Sequence, residues 1–321
     1  MASTEHDELI GQLSDPDPHT RQVAIMALQE VADEGCVPAL IAALVDTDSV
    51  VRRLAIDTLE ELGDARAVVF IIECLHDGDQ DVEEAAAAAL RHFRGADAAT
   101  PMITALAHPH PKVRHGVLIG LRELKDRRAL AALIHTLQDP VAEVRREAVI
   151  TLAYLKQADA VDALRERLSD SEASVRRVAV GALDEWNSPS LLEDFLRALR
   201  DEDWQVRVQA AIVLGRSGLA GAVRGLRSAL SDPYWQVQKE AIASLGRLPA
   251  GAATVELVGF LVSERAELRR AAAYALGELG AAEADPALRA LEDDPDIEVR
   301  KAAQRALEAI AKLTAGSPPA P

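Results

Sequence analysis

Aromatic side chains are scarce in this chain, at 3% of residues, and lysine is missing from the first 107 positions. With so few rings, a hydrophobic content of 49% has to come from Ala, Leu, Val and Ile, so the core is aliphatic and small-grained. Only two cysteines occur, Cys36 and Cys74. They are too few for a disulfide framework and lack metal-motif spacing, and read as reduced core residues of a cytosolic protein. No uncharged apolar run approaches the length of about 18 residues that marks a candidate membrane span, so no such segment is expected. The first seven residues lack the basic start and apolar stretch of a signal peptide. No Ser/His/Asp constellation and no glycine-rich phosphate loop is present, so the chain reads as non-enzymatic and without a cofactor.

The missing lysines matter electrostatically. Residues 1–107 carry 21 acids against 6 arginines, a balance of −15, while residues 108–321 carry 31 acids and 29 bases. An acidic first third repels nucleic acid and anionic lipid, so neither is expected as a partner.

What the chain does have is a period. The positions Arg21, Arg52, Glu83, Arg114, Arg145, Arg176, Arg207, Gln238, Arg269 and Arg300 follow one another at a single constant interval, without an insertion. Six residues ahead of each runs a second series: Asp15, Asp46, Asp77, His108, Asp139, Asp170, Asp201, Asp232, Ser263 and Asp294. A fixed period of this size marks a solenoid whose units bury their faces only against neighbours. Within one unit, Val144, Ala148, Leu152 and Leu155 recur at helical spacing and form an apolar stripe. The Asp ahead of the stripe reads as an N-cap, with proline at the first helical position in Asp15-Pro16, Asp139-Pro140, Asp232-Pro233 and Asp294-Pro295. A break at Gly63, Gly280 or Lys156-Gln157 ends the helix, and a shorter apolar helix such as residues 160–168 follows. The expected class is all-α, an α-α superhelix of about ten helix–turn–helix units. One solenoid should span residues 1–313, with a disordered Pro-rich tail at 314–321. Because they recur in every unit, the Asp and Arg series read as architecture, with Arg reaching carboxylates or carbonyls of its own and adjacent units.

The pattern Asp-(Pro)-x-x-x-Val-Arg-x-x-Ala-x-x-Ala-Leu, seen at residues 51–59 and 299–307, resembles the HEAT-like repeat of the phycobilisome-lyase type. The match covers about residues 4–312. The resemblance implies that the Val-Arg helices line a concave face, and ten stacked units imply a curved rod on the order of 90–100 Å long. Relatives include bilin lyase subunits, deoxyhypusine hydroxylase, DNA glycosylases and many scaffolds. The di-iron hydroxylases use paired His-Glu steps, and no His-Glu dipeptide occurs here.

Three functions stay open. The first is a scaffold that binds a protein or peptide in the concave groove. Groove positions fall three and two before each ladder residue, and one, two, five and nine after it. They place Trp204, Gln205, Gln209 and Arg216 in the seventh unit and Trp235, Gln236, Lys239 and Arg247 in the eighth, with Tyr234 beside them. Tyr154 and Tyr274 extend this surface, because aromatic and Arg side chains make binding hot spots. Trp186 falls at the phase of a core leucine and reads as packing. A second, acidic patch of Asp57, Glu61, Asp81, Glu84 and Glu123 suits a basic partner segment. The second function is handling of a bilin or other tetrapyrrole, as the resemblance implies. The third is metal-dependent chemistry at His92, His108, His110 and His115, since neutral imidazoles ligate zinc, nickel or iron.

Overall fold

The computed structural model describes residues 2–31, 33–186, 188–248 and 253–316, with side chains from residue 6 to residue 313. Long and short helices alternate along the chain, and no strand occurs among the described residues. None of these helices is long and apolar enough to cross a membrane. Backbone contacts divide the chain into two compact units, residues 1–163 and 164–321.

In the first unit, α1 (Ala2–Gln12) packs on α2 (Pro18–Val31). The ladder helices then stack in order: α2, α4 (Ser49–Leu62), α6 (Gln80–Ala89), α8 (Pro111–Leu124) and α10 (Ala142–Leu155). Between them run the short helices α3 (Val37–Ala43), α5 (Val68–Glu73), α7 (Ala96–Ala105) and α9 (Leu130–Thr136). The boundary between the units falls within α11 (Val161–Glu166).

The second unit repeats the plan. Its ladder helices are α12 (Ala173–Asp184), α14 (Trp204–Arg216), α16 (Trp235–Arg247), α18 (Ala266–Leu279) and α20 (Ile297–Gly316). Its short helices are α13 (Leu192–Ala198), α15 (Ala222–Ala229), α17 (Thr254–Phe260) and α19 (Asp285–Arg289). Where a Pro-rich tail was expected from residue 314, α20 continues as helix to Gly316; residues 317–321 lie outside the described residues.

The stripe read from the sequence is the core. Val144, Ala148, Leu152 and Leu155 are all buried, as are Val51, Ala55 and Leu59 at the same phases. Gly63 and Gly280 close their helices in the left-handed conformation that glycine adopts without steric cost. Lys125 and Lys156 adopt it in their own units despite carrying side chains.

The capping expectation needs correction. N-caps fall two residues after the ladder aspartates, at Asp48, Asp79 and Asp203, whose carboxylates accept backbone N–H bonds from the first helical turn. The ladder aspartate instead closes the turn before the cap. Asp46 Oδ1 accepts the N–H of Asp48 at 2.8 Å, Asp139 that of Val141 at 2.9 Å and Asp232 that of Tyr234 at 2.9 Å. The prolines of the Asp-Pro steps therefore sit in the turn, ahead of the helix. His108 copies the turn with a ring nitrogen, its Nδ1 accepting from the His110 N–H at 3.1 Å.

Each ladder arginine joins two units. Arg52 donates Nε and Nη2 to both carboxylate oxygens of Asp77, at 2.8 and 2.6 Å, and Nη1 to its own unit's Asp46 carbonyl at 2.8 Å. Arg21–Asp46, Arg114–Asp139, Arg176–Asp201, Arg207–Asp232 and Arg269–Asp294 repeat this rung, each arginine reaching the ladder aspartate of the following unit. The breaks come in matched pairs, at the two ends of one rung. Glu83 and His108 occupy one such pair of positions, and the Glu83 carboxylate takes Lys112 instead, with Nζ to Oε2 at 2.6 Å. Gln238 and Ser263 occupy another, and Gln238 keeps only the intra-unit bond, Nε2 to the Asp232 carbonyl at 2.8 Å. Where the cation is gone, so is its carboxylate, because a desolvated carboxylate without a partner is costly.

Burial alone would raise the pKa of Asp46, Asp77 and Asp201, but the guanidinium and backbone N–H bonds outweigh it and hold all three below the ordinary range. At Asp294 the Arg269 hydrogen bond is the largest influence, in the same direction. A depressed folded-state pKa contributes stability that is complete above the unfolded value, about 3.9, and is lost as pH falls through the folded value. Urea midpoints should therefore drop as pH is lowered below about 4. A midpoint held constant down to pH ~2 would contradict a stabilising role for these carboxylates.

Candidate functional site

The expected binding residues of the second unit gather where α14 and α16 begin. Trp204 opens α14, and the Tyr234 ring from the next turn stacks on it, with centroids 5.8 Å apart and planes 8° from parallel. Tyr234 is held from both ends. Its N–H bonds Asp232, and Arg207, which clamps Asp232, lies 5.5 Å from the Tyr234 ring centroid. Tyr234 remains 46% exposed, and Trp204 is half-buried. This differs from a pair of tryptophan anchors. Each tryptophan is the first residue of its helix and is covered by the N-cap of the next unit. That cap is Tyr234 for Trp204, and for Trp235 it is Arg265, whose guanidinium lies 5.7 Å from the ring centroid.

The remaining groove positions divide. Gln205 is exposed, and Gln209 lies partly buried over Gly181. Gln236 buries its Oε1 without a hydrogen-bond partner. Arg216 is engaged by Asp184 at 2.8 Å. Lys239, Arg247 and Tyr274 line a hollow of about 360 Å³ on α16 and α18, together with Glu267, Arg270 and Glu278. Within it, Arg247 donates to Ser244 Oγ at 3.0 Å, and the Tyr274 hydroxyl accepts from Arg305 at 3.1 Å. Tyr154 belongs to the first unit, exposed beneath the Arg122 guanidinium 5.5 Å from its centroid. Trp186 is partly exposed rather than fully packed.

The four histidines do not converge. His92 bonds Glu60 through Nδ1. His108 and His110 face His76 instead, with ring centroids at 5.5 and 5.0 Å, and His108 Nε2 is 3.7 Å from Glu73. His115 lines a separate hollow. That hollow, about 590 Å³, lies over α6, α8 and α10 and was not anticipated. Its floor is Leu75, Ala87, Gly116, Ile119 and Val144, and Glu83, Lys112 and Arg146 stand at its edge. Ala87 occupies a phase that other units fill with Ile25, Ile56 or Leu118. A methyl group at Gly116 would meet Leu75 at 2.7 Å. The run of alanines after Glu84, read only as helix, was the available signal. In the acidic patch, burial raises the pKa of Asp57.

A family model described as HEAT repeats matches residues 7–91, 99–184, 161–230 and 223–308. The chain belongs to the HEAT-repeat family. A comparison with curated proteins finds no match. Among solved structures, this HEAT-repeat chain is similar to an engineered protein at 23% identity and a TM-score of 0.51, covering 96% of this chain and 99% of that one. It is similar to the Escherichia coli protein YibA at 19% identity and 0.52, covering 90% and 95%. Kap95p, in a structure described by its effect on the switch loops of RanGDP, is similar at 14% identity and 0.65, covering 97% of this chain and half of Kap95p. At these identities the likeness is one of fold.

Proposed function

We propose that this HEAT-repeat protein is a binding scaffold that captures a protein or peptide on the open face of its ladder helices. The observation that carries the reading is the Trp204–Tyr234 stack. It is a rigid aromatic pair, open to solvent on one side and fixed by the Asp232 turn and Arg207 before any partner arrives. Preorganised aromatic and Arg side chains bury area with little loss of conformational freedom, which is what a hot spot requires. Kap95p, a neighbour in fold, is named for binding another protein, which supports the same use of this architecture. The Val-Arg repeat pattern supports the phycobilisome-lyase type within the family.

The test is capture from native lysate with immobilised wild-type chain, Trp204→Ala and Tyr234→Ala, followed by titration of the retained protein. Each substitution should leave helicity unchanged and weaken capture on the order of tenfold, about 1.4 kcal/mol. Equal affinity for all three chains would remove the aromatic pair from the site. Uptake of bilin or haem, read as visible absorbance, with no protein retained would replace this reading by tetrapyrrole handling.

A further inference from the structure

The one place among the described residues where sulfur, imidazole and carboxylate meet lies away from the ladder. It joins α1 to the turn between α2 and α3.

Asp33-Glu34-Gly35-Cys36 is a tight turn. The Cys36 N–H donates to the Asp33 carbonyl at 3.1 Å and the Gly35 N–H to Asp33 Oδ1 at 2.8 Å. The turn brings side chains i and i+3 to one side, the spacing that Cys-x-x-Cys zinc knuckles use. His6 arrives from α1. Its Nε2 lies 2.6 Å from Cys36 Sγ and 3.3 Å from Asp33 Oδ1. The three ligand atoms all fall within 4.8 Å of one another.

The decisive feature is that thiol and carboxylate converge on the same imidazole nitrogen. A neutral ring nitrogen either donates one hydrogen bond or accepts one, so Nε2 cannot serve both as a hydrogen-bond partner in one tautomer. In a nucleophile–base–carboxylate relay the carboxylate sits on the other ring nitrogen. Here the nearest carboxylate to Nδ1 is Asp7, at 4.0 Å. Three donors aimed at one point are the arrangement of a coordination sphere.

We propose that His6, Asp33 and Cys36 bind a divalent transition metal, zinc by donor type, and that the ion fastens α1 to the first repeat. One sulfur, one nitrogen and one oxygen donor suit a borderline-soft cation over magnesium or calcium. Tetrahedral zinc with Zn–S of about 2.3 Å and Zn–N of about 2.0 Å holds sulfur and nitrogen about 3.5 Å apart. The imidazole therefore swings back by about 1 Å on binding. Cys36 is fully buried, the His6 side chain is 16% exposed and that of Asp33 70%, so the sphere is closed by protein behind the thiol and open to water beside the carboxylate. Water fills the fourth position. The thiol gives up its proton to solvent as the Zn–S bond forms, and no electrons are transferred.

The test uses Co²⁺ as the probe on reduced, metal-free full-length chain. The expected result is a near-ultraviolet thiolate-to-cobalt charge-transfer band that saturates at one ion per chain and is bleached by Zn²⁺. Cys36→Ser should abolish the band, while Cys74→Ser keeps it. Asp33→Asn and His6→Gln should each weaken cobalt binding at least about tenfold. Both change side chains outside the aliphatic core, and far-ultraviolet circular dichroism checks that the variants remain folded. No band in the wild-type chain, a band that depends on Cys74, or unchanged affinity in both Asp33→Asn and His6→Gln would each overturn the site.

Discussion

Replacing Arg114 by Met should destabilise the first unit by about 3 kcal/mol, because the substitution strands a buried carboxylate. Arg114 places Nε and Nη2 on the two oxygens of Asp139, at 2.6 and 2.9 Å, and Nη1 on the carbonyls of His108 and Pro109, both at 2.9 Å. The side chains of Arg114 and Asp139 are 11% and 6% exposed, so water cannot readily replace the lost guanidinium. Asp139 still accepts the Val141 N–H, which keeps the expected cost at the lower end of the range for broken buried pairs, about 3–5 kcal/mol. Removing Lys112 from Glu83 should cost less than about 1 kcal/mol, because the lysine is 57% exposed and its charge is already screened.

The chain supplies its own control for this reading. The Gln238–Ser263 rung lacks both charges and keeps the turn. Copying it, the double variant Arg114→Gln, Asp139→Ser should be more stable than Arg114→Gln alone by about 1 kcal/mol or more, since the second substitution removes the stranded charge. Urea denaturation of the three chains measures this. A double variant no better than the single one would mean that the carboxylate is not the liability.

Gly246→Ala should destabilise the second unit by about 2 kcal/mol, against the sign that helix propensity alone gives. In an open helix the same substitution stabilises by about 1 kcal/mol. Here α16 meets α18 so closely that an added Cβ at Gly246 would lie 2.6 Å from Ala275 Cα and 2.7 Å from its Cβ. Backbone, not a flexible side-chain end, has to move. Gly215 and Gly277 repeat the approach one unit to either side, against Ser244 and Ala306. Gly259, in α17, has no atom within 4 Å of an added Cβ, so Gly259→Ala should stabilise by about 0.5–1 kcal/mol. Adding Ala275→Gly to Gly246→Ala should restore part of the loss. Matching thermal shifts for Gly246→Ala and Gly259→Ala would show that close approach plays no part.

These cases separate what sequence reasoning could reach from what it could not. The stripe Val144, Ala148, Leu152 and Leu155 was legible because helical periodicity is local and depends only on which residues share a face. The ladder was legible as architecture, but its partners were not named. Arg114 pairs with Asp139 rather than with the aspartate position of its own unit, and only the offset between stacked helices selects that neighbour. The matched breaks at Glu83/His108 and Gln238/Ser263, each pair set apart by the same interval as Arg114 and Asp139, were a written signal of that offset. Capping was misplaced by two residues because Asp favours both an N-cap and the turn before one, and the local sequence does not choose between them. Trp204 and Trp235 looked like a pair from their equivalent places in successive units, but the step between units lays Tyr234 on Trp204 and Arg265 on Trp235.

By itself the sequence determined the period, the helical class, the aliphatic core and the acidity of the first third, because each depends on composition or on neighbours within a few residues. Tertiary structure alone decided which arginine meets which aspartate, which glycines stand against backbone and which rings stack. It also decided that His6 reaches the Asp33–Cys36 turn. Those outcomes depend on how one helix is displaced and rotated over the next, a geometry set by the packing of many small side chains at once and carried by no single residue.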